Sequence, residues 1–196
     1  MYVIAGLGNP GERYEDTRHN TGRIVLGSFL KTFGFPDFIF NKKLQSLLAE
    51  AKVGKEKVSV IMPETYMNKS GSAVGAIITN KKKARELIVV HDDLDLPLGK
   101  IKISWNRGTG GHRGVLSIVR ALKTEEFVRI RVGISPSTAG GKLRKPKGER
   151  EVEEFILGKF KEKEADEMKK ISKKVSAALE MIILEGLSAA MSKFNS

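Results

Sequence analysis

Six short apolar runs punctuate the chain, at 3–5, 47–53, 58–62, 87–90, 101–105 and 128–134. Several lack the strict alternation of a half-exposed strand, which predicts a sheet covered on both faces. Helical periodicity fills the intervals. Leu26, Phe29, Leu30 and Phe33 recur at helical spacing after Asn20-Thr21, and Val74, Ile77 and Ile78 do so after Asn68, whose side chain is placed to cap that helix. Val115, Ile118, Val119 and Leu122 mark a third helix. Met168, Ile171, Val175, Ala178 and Ile182 form the stripe of a fourth, with a Lys/Glu-rich outer face and a stop at Gly186. The Gly54-Lys55-Glu56-Lys57 turn joins two runs as a hairpin, so the expected sheet is mixed. Residues 136–149 show neither period and are rich in Gly, Ser, Pro and Lys; a loop this long inside a compact domain predicts a mobile flap beside a site.

No internal repeat or shift in composition divides the 196 residues, so one domain is expected over 1–196, with a basic flap at about 136–150 and a C-terminal helical region at about 161–194. The absence of cysteine excludes a disulfide framework, a Cys-rich zinc site and a thiol nucleophile. With no leader-like start and no apolar stretch long enough to span a bilayer, a cytoplasmic protein without membrane contact is expected. The formal charge of +12 points to a polyanionic partner. The placement of the charge narrows this. Arg107 and Arg113 flank a Gly-rich loop, while Lys142, Arg144, Lys145, Lys147 and Arg150 crowd the flap against one acid, Glu149.

Three polar clusters sit just past apolar runs: Gly6-Leu7-Gly8-Asn9-Pro10-Gly11 with Thr17-Arg18-His19-Asn20 close behind, Tyr66-Met67-Asn68, and His91-Asp92-Asp93-Leu94-Asp95. Loops leaving the carboxyl ends of strands in an open α/β sheet converge on one crevice, so these clusters can build one site. The first formally fits a dinucleotide fingerprint, but Pro10 and the turn-prone residues up to Asn20 delay the helix. No acid about 20 residues on awaits a ribose. Either the glycines present Asn9 to the crevice or they form an ordinary turn.

His19 lies in a loop rather than on an apolar stripe, where a neutral imidazole can take a proton from water. Asp92, at the mouth of its strand, is the preferred carboxylate to orient that ring. The adjacent His91-Asp92 invites a metal reading, but three histidines and scattered acids show no spacing that demands an ion, and no metal or cofactor is expected. Asn9 and Asn68 can donate amide hydrogens to a growing oxyanion. The loop 108–114 lacks a P-loop's Lys-Ser/Thr, but it opens a helix and can bring backbone N–H groups to an anion or carbonyl.

Taken together, Gly6-Leu7-Gly8-Asn9-Pro10-Gly11, Tyr14, Thr17-Arg18-His19-Asn20, residues 63–71, His91-Asp92-Asp93-Leu94-Asp95-Leu96-Pro97 and Gly110-Gly111-His112 resemble the bacterial-type peptidyl-tRNA hydrolases nearly end to end. The resemblance implies a single α/β domain of phosphorylase/hydrolase-like type, with a twisted mixed sheet flanked by helices. It also implies hydrolysis of the ester joining a peptide to the 3′ end of tRNA, without metal or cofactor, by a protein expected to be monomeric. Carried over by position, His19 is the general base and Asp92 its partner. Asn9 and Asn68 position the substrate and stabilise the intermediate, while Tyr14, Met67, His112 and Arg113 meet it in the crevice.

Two departures stand out. Arg113 replaces the family's usual Asn, and Arg cannot accept a hydrogen bond. Relatives hold the tRNA 5′ phosphate with a Lys and an Arg; Arg131 matches the latter, but Ser104 occupies the Lys position, leaving Lys102 two residues earlier as a substitute. Arg107, Lys142, Lys145 and Lys147 add expected phosphate contacts. The competing readings are a non-catalytic RNA-binding protein and a dinucleotide-dependent oxidoreductase.

Overall fold

The computed structural model describes residues 1–138 and 140–195; Ala139 of the expected flap and Ser196 at the end of the expected domain lie outside the described residues. The chain runs β1 (Tyr2–Gly6), α1 (Thr21–Thr32), β2 (Ile39–Asn41), β3 (Ser46–Val53), β4 (Glu56–Pro63), α2 (Ser70–Ile77), α3 (Lys81–Ala84), β5 (Leu87–Pro97), β6 (Ile101–Trp105), α4 (Arg113–Leu122), β7 (Val128–Ser135), α5 (Glu149–Leu157), α6 (Glu162–Leu184) and α7 (Leu187–Phe194). The seven strands form one sheet in the order β2-β3-β4-β1-β5-β7-β6. β1 pairs parallel with β4 and β5, and β5 parallel with β7. The remaining pairs are antiparallel, including the β3–β4 hairpin. The fold is a single α/β domain with a mixed sheet, as the periodicity predicts.

Alternation along the central strands sends side chains into two cores. Ile4, Ile88, Val90 and Ile130 meet Val25, Leu26 and Phe29 of α1 and the apolar stripe of α6 on one face. Val3, Ala5, Ile61 and Val89 meet Val74 of α2 and Val115 and Ile118 of α4 on the other. This explains why the central strands read as continuous apolar runs. Gly22 lets the start of α1 press against the sheet, since a β-carbon there would run into the carbonyl of Val90 and the backbone of Leu7. Among the described residues no helix is long and apolar enough to cross a membrane.

Two readings of the sequence need correction, and two further elements go unread in it. The strand expected at 87–90 continues to Pro97, so His91 and Asp92 pair in the ladder with Arg131 and Val132 rather than standing in a loop. Asp92 tolerates this burial because both its oxygens find partners, whereas His91 is bonded through Nδ1 and its buried Nε2 has no partner among the described residues. Asn68 does not cap α2. It lies in a 3-10 turn, Met67–Lys69, and Lys69 precedes α2 with no side-chain cap. Residues 149–157 form the amphipathic helix α5, directly after the aperiodic stretch. The short edge strand β2 carries no alternation long enough to read.

Candidate active site

Because β1, β4 and β5 run parallel, their carboxyl ends open on the same side of the sheet, and the three polar clusters meet there. A 3-10 turn, Arg18–Asn20, sets His19 just before α1. Its Nδ1 lies 3.0 and 3.1 Å from the two carboxylate oxygens of Asp92. Both groups are buried, His19 with 6% and Asp92 with 3% of its surface exposed. His112 approaches Asp92 from the other side, with Nε2 at 3.0 Å from Oδ1. His112 also precedes α4 as its N-cap, accepting the backbone N–H groups of Gly114 and Val115 on Nδ1. Those partners put the ring proton on Nε2, facing the carboxylate.

Asp92 is thus a buried anion with two imidazole partners. Burial opposes its charge, but His19 and then His112, by charge and hydrogen bonding, hold its carboxyl well below the ordinary carboxylate range. For His19, burial disfavours the imidazolium, yet the charge and hydrogen bond of Asp92 outweigh it, and the net shift is upward. Arg113 works weakly in the opposite direction. His91 behaves differently. Its Nδ1 donates to the backbone carbonyl of Asp92 at 2.7 Å, its ring packs edge-on to His112, and burial followed by the charge of His112 keeps it well below the usual histidine value.

Asn9 is held on all sides. Asn20 accepts its N–H at 2.8 Å and donates to its carbonyl at 2.9 Å, and Arg23 adds a contact to the same carbonyl. The side-chain Oδ1 accepts the N–H of Met67 at 2.8 Å. This fixes the amide so that its NH2 is free to serve the crevice. Asn68 stands exposed on the next turn and lines the same crevice.

The crevice, of about 670 Å³, is lined by Asn9, Tyr14, His19, Met67, Asn68, Asp92, His112, Arg113 and Lys145 from the expected set. It does not take in Lys102, Arg107, Arg131, Lys142 or Lys147. Arg131 pairs with Asp93 at 2.6 Å, and Lys102 lies opposite Arg131 in the β6–β7 register. Across the mouth, Arg113 pairs with Glu149 at 2.8 Å and Lys145 with Asp95 at 2.6 Å. Val152, Glu153 and Ile156 of α5 line the crevice opposite.

Sequence reasoning missed several supports: the clasp of Asn20 on Asn9, the second bond of Asp92 to His112, and the roof formed by α5. Arg129 was missed too; buried, it donates to the carbonyls of Arg107 at 2.5 Å and Gly108 at 2.9 Å and so fixes the loop leading to His112. Only α5 left a readable signal, the spacing of Val152, Phe155 and Ile156.

Among the described residues, His19, Asp92 and His112 are the group whose ligand atoms lie close enough to share an ion, all within 4.8 Å. Their chemistry does not suit one. A neutral imidazole has one lone pair, and that of His112 is taken by two backbone N–H groups. The arrangement suits instead a histidine whose Nδ1 is oriented by a carboxylate, leaving Nε2 to act on a water in the crevice.

Comparison with known proteins shows the family. The family model described as peptidyl-tRNA hydrolase matches residues 3–196. A peptidyl-tRNA hydrolase of Thermodesulfovibrio yellowstonii is 38% identical over 201 residues, covering 100% of this chain and 99% of the relative. One from Thermoanaerobacter sp. is 40% identical over 196 residues and covers both chains completely. The crystal structure of the peptidyl-tRNA hydrolase from Acinetobacter baumannii superposes with a TM-score of 0.87 at 28% identity, covering 100% of this chain and 95% of the other.

Proposed function

The chain belongs to the peptidyl-tRNA hydrolase family and is an enzyme that hydrolyses peptidyl-tRNA, and we propose that His19 drives the reaction as a general base oriented by Asp92. The observation that carries this reading is the contact of His19 Nδ1 with both oxygens of a buried carboxylate. It fixes the tautomer, points Nε2 away from Asp92 and stabilises the imidazolium as it forms.

In the proposed sequence, Nε2 takes a proton from water as the oxygen attacks the ester carbonyl carbon. The amide NH2 of Asn9, held by the N–H of Met67 on its oxygen, and that of Asn68 donate to the oxyanion. The tetrahedral intermediate then collapses, the carbonyl re-forms, and the ribose oxygen leaves with the proton that His19 had accepted. A ribose alkoxide protonated in this way needs no second acid. Arg113, paired with Glu149, borders the crevice as a cation at the position where the resemblance implies an amide.

Lys102, Arg107, Arg131, Lys142, Lys145 and Lys147 are assigned to the tRNA phosphates, in keeping with the net charge of +12. A monomer is proposed, and the substrate arises where ribosomes translate, which supports a cytoplasmic enzyme. Single-turnover hydrolysis of an N-acetylated aminoacyl-tRNA tests the mechanism. His19→Ala is expected to slow the chemical step by about a hundredfold to ten-thousandfold with tRNA affinity nearly intact. Unchanged turnover would remove His19 from the role.

A further inference from the structure

Arg18, the residue before the proposed base, is buried, with 6% of its surface exposed. Its Nη2 lies 2.7 Å from Oε2 of Glu164, and both side chains are largely shielded from solvent. The same Oε2 accepts the N–H of Lys161 at 2.7 Å, so the carboxylate is anchored at the start of α6. The guanidinium lies over the ring of Phe155 at 4.5 Å and that of Phe160 at 5.4 Å. The backbone continues the attachment. Arg18 N–H donates to Gly158 at 3.0 Å, Thr17 bridges Lys159, and Phe160 N–H donates to Asp16 at 3.3 Å.

These contacts fasten the His19 turn to the C-terminal end of α5. That helix buries none of its own residues, yet it roofs the crevice through Val152, Glu153 and Ile156. Its other end is held by the Arg113–Glu149 pair, whose side chains are 57% and 84% exposed. An exposed pair of this kind contributes little, whereas a shielded Arg stacked on two aromatic rings and bonded to a carboxylate is a firm joint. A planar guanidinium suits both the stacking and the carboxylate, which an ammonium cannot match.

We infer that Arg18 is a positioning residue that holds the roof helix α5 and the turn bearing His19 in one fixed relation, so that the base meets the carbonyl of a substrate seated beneath the roof. The inference rests on the reading of His19 as the base. Arg18 touches neither water nor substrate in this role. It acts through the backbone it shares with His19 and through the Phe155 end of α5.

The test compares Arg18→Met, Arg18→Lys, Phe155→Leu and His19→Ala in the full chain, with kcat, KM and the pH dependence of kcat/KM measured on N-acetylated aminoacyl-tRNA. Arg18→Met is expected to lower kcat by about tenfold to a hundredfold, as for a modest misplacement of a reacting group, while KM changes by less than about twofold. The lower-pH midpoint should move to lower pH as His19 slips from Asp92, its other neighbours His112 and Arg113 favouring the neutral ring or leaving it unaided. Arg18→Lys should recover part of kcat, because it keeps the charge on Glu164 but not the stacking. Phe155→Leu, which leaves all charges in place, should show the same pattern at smaller size and stands in for Arg18→Met if that variant does not fold. A loss of kcat that follows only the loss of folded protein, with the midpoint unmoved, would overturn the inference. If His19→Ala itself kept full turnover, the assignment of the base would fall first; if it abolished turnover while the Arg18 and Phe155 variants kept kcat and midpoint, only the role of Arg18 would fall.

Discussion

Asp92 stands between two imidazoles, and that placement decides how the proposed site should respond to pH. With its carboxyl held far below the ordinary range by His19 and His112, it remains an anion throughout the working range. His19, raised above its ordinary 6.5 despite burial, loses its proton only at a higher pH than a free histidine would. A base must be neutral to act. Activity is therefore expected to fall as pH drops through the raised value, giving a midpoint above 6.5 in kcat/KM. Asp92→Asn removes the charge that raises His19, so a pH–rate profile should show the midpoint moving downward and kcat falling by about a hundredfold or more. A midpoint that stayed in place would mean that another group titrates. Asn20 illustrates a support of a different kind, for its amide grips the backbone of Asn9 on both sides and touches no reacting atom.

At the scale of elements, α4 and α5 approach the crevice from different sides, and α4 is held by a residue that also binds the proposed catalytic carboxylate. His112 caps α4 and binds Asp92 with its two nitrogens. His112→Ala is accordingly expected to cost about 1 kcal/mol of stability from removal of the cap, seen as a lower Tm, together with a fall in kcat from the loosened carboxylate. An unchanged Tm would show that the cap contributes nothing. The segment between β7 and α5 carries the basic residues proposed to meet tRNA, and among them Lys145 already reaches Asp95 at the rim. Replacing Lys142, Lys145 and Lys147 by Gln should weaken tRNA binding and flatten the slope of log affinity against log salt by about 0.7 to 0.9 for each phosphate no longer neutralised. A slope equal to that of the parent protein would assign phosphate binding to other residues. β5 shows why its motif escapes a local reading: His91-Asp92-Asp93 has the composition of a loop, yet β7 pairs with it residue by residue as far as Asp93.

Across the whole molecule, two apolar cores on opposite faces of one sheet hold the parallel strand ends in register beneath the site. Phe29 of α1 is fully buried, so Phe29→Ala is expected to cost about 3 to 5 kcal/mol, measurable as a lower denaturant midpoint. A cost below about 1 kcal/mol would mean that the core collapses around the gap. Hydrophobic period, the Gly54-Lys55 turn and the polar clusters at the ends of apolar runs depend on neighbours in sequence, and these determined the α/β class, the mixed sheet, four of the helices and the meeting of Asn9, His19, Asn68 and Asp92. The double engagement of Asp92 by His19 and His112, the clasp of Asn20 on Asn9 and the grip of Arg129 on the loop before His112 join residues with no periodic relation between them, so no local pattern announces them. Arg113 and Glu149 lie 36 positions apart and meet only because β7 returns the chain to the crevice and α5 turns back over it. Residue chemistry was set by the chain itself, whereas the choice of partner for each polar side chain was made by packing, because a buried polar group has lost water and can pair only with the complementary atoms that the fold brings within reach.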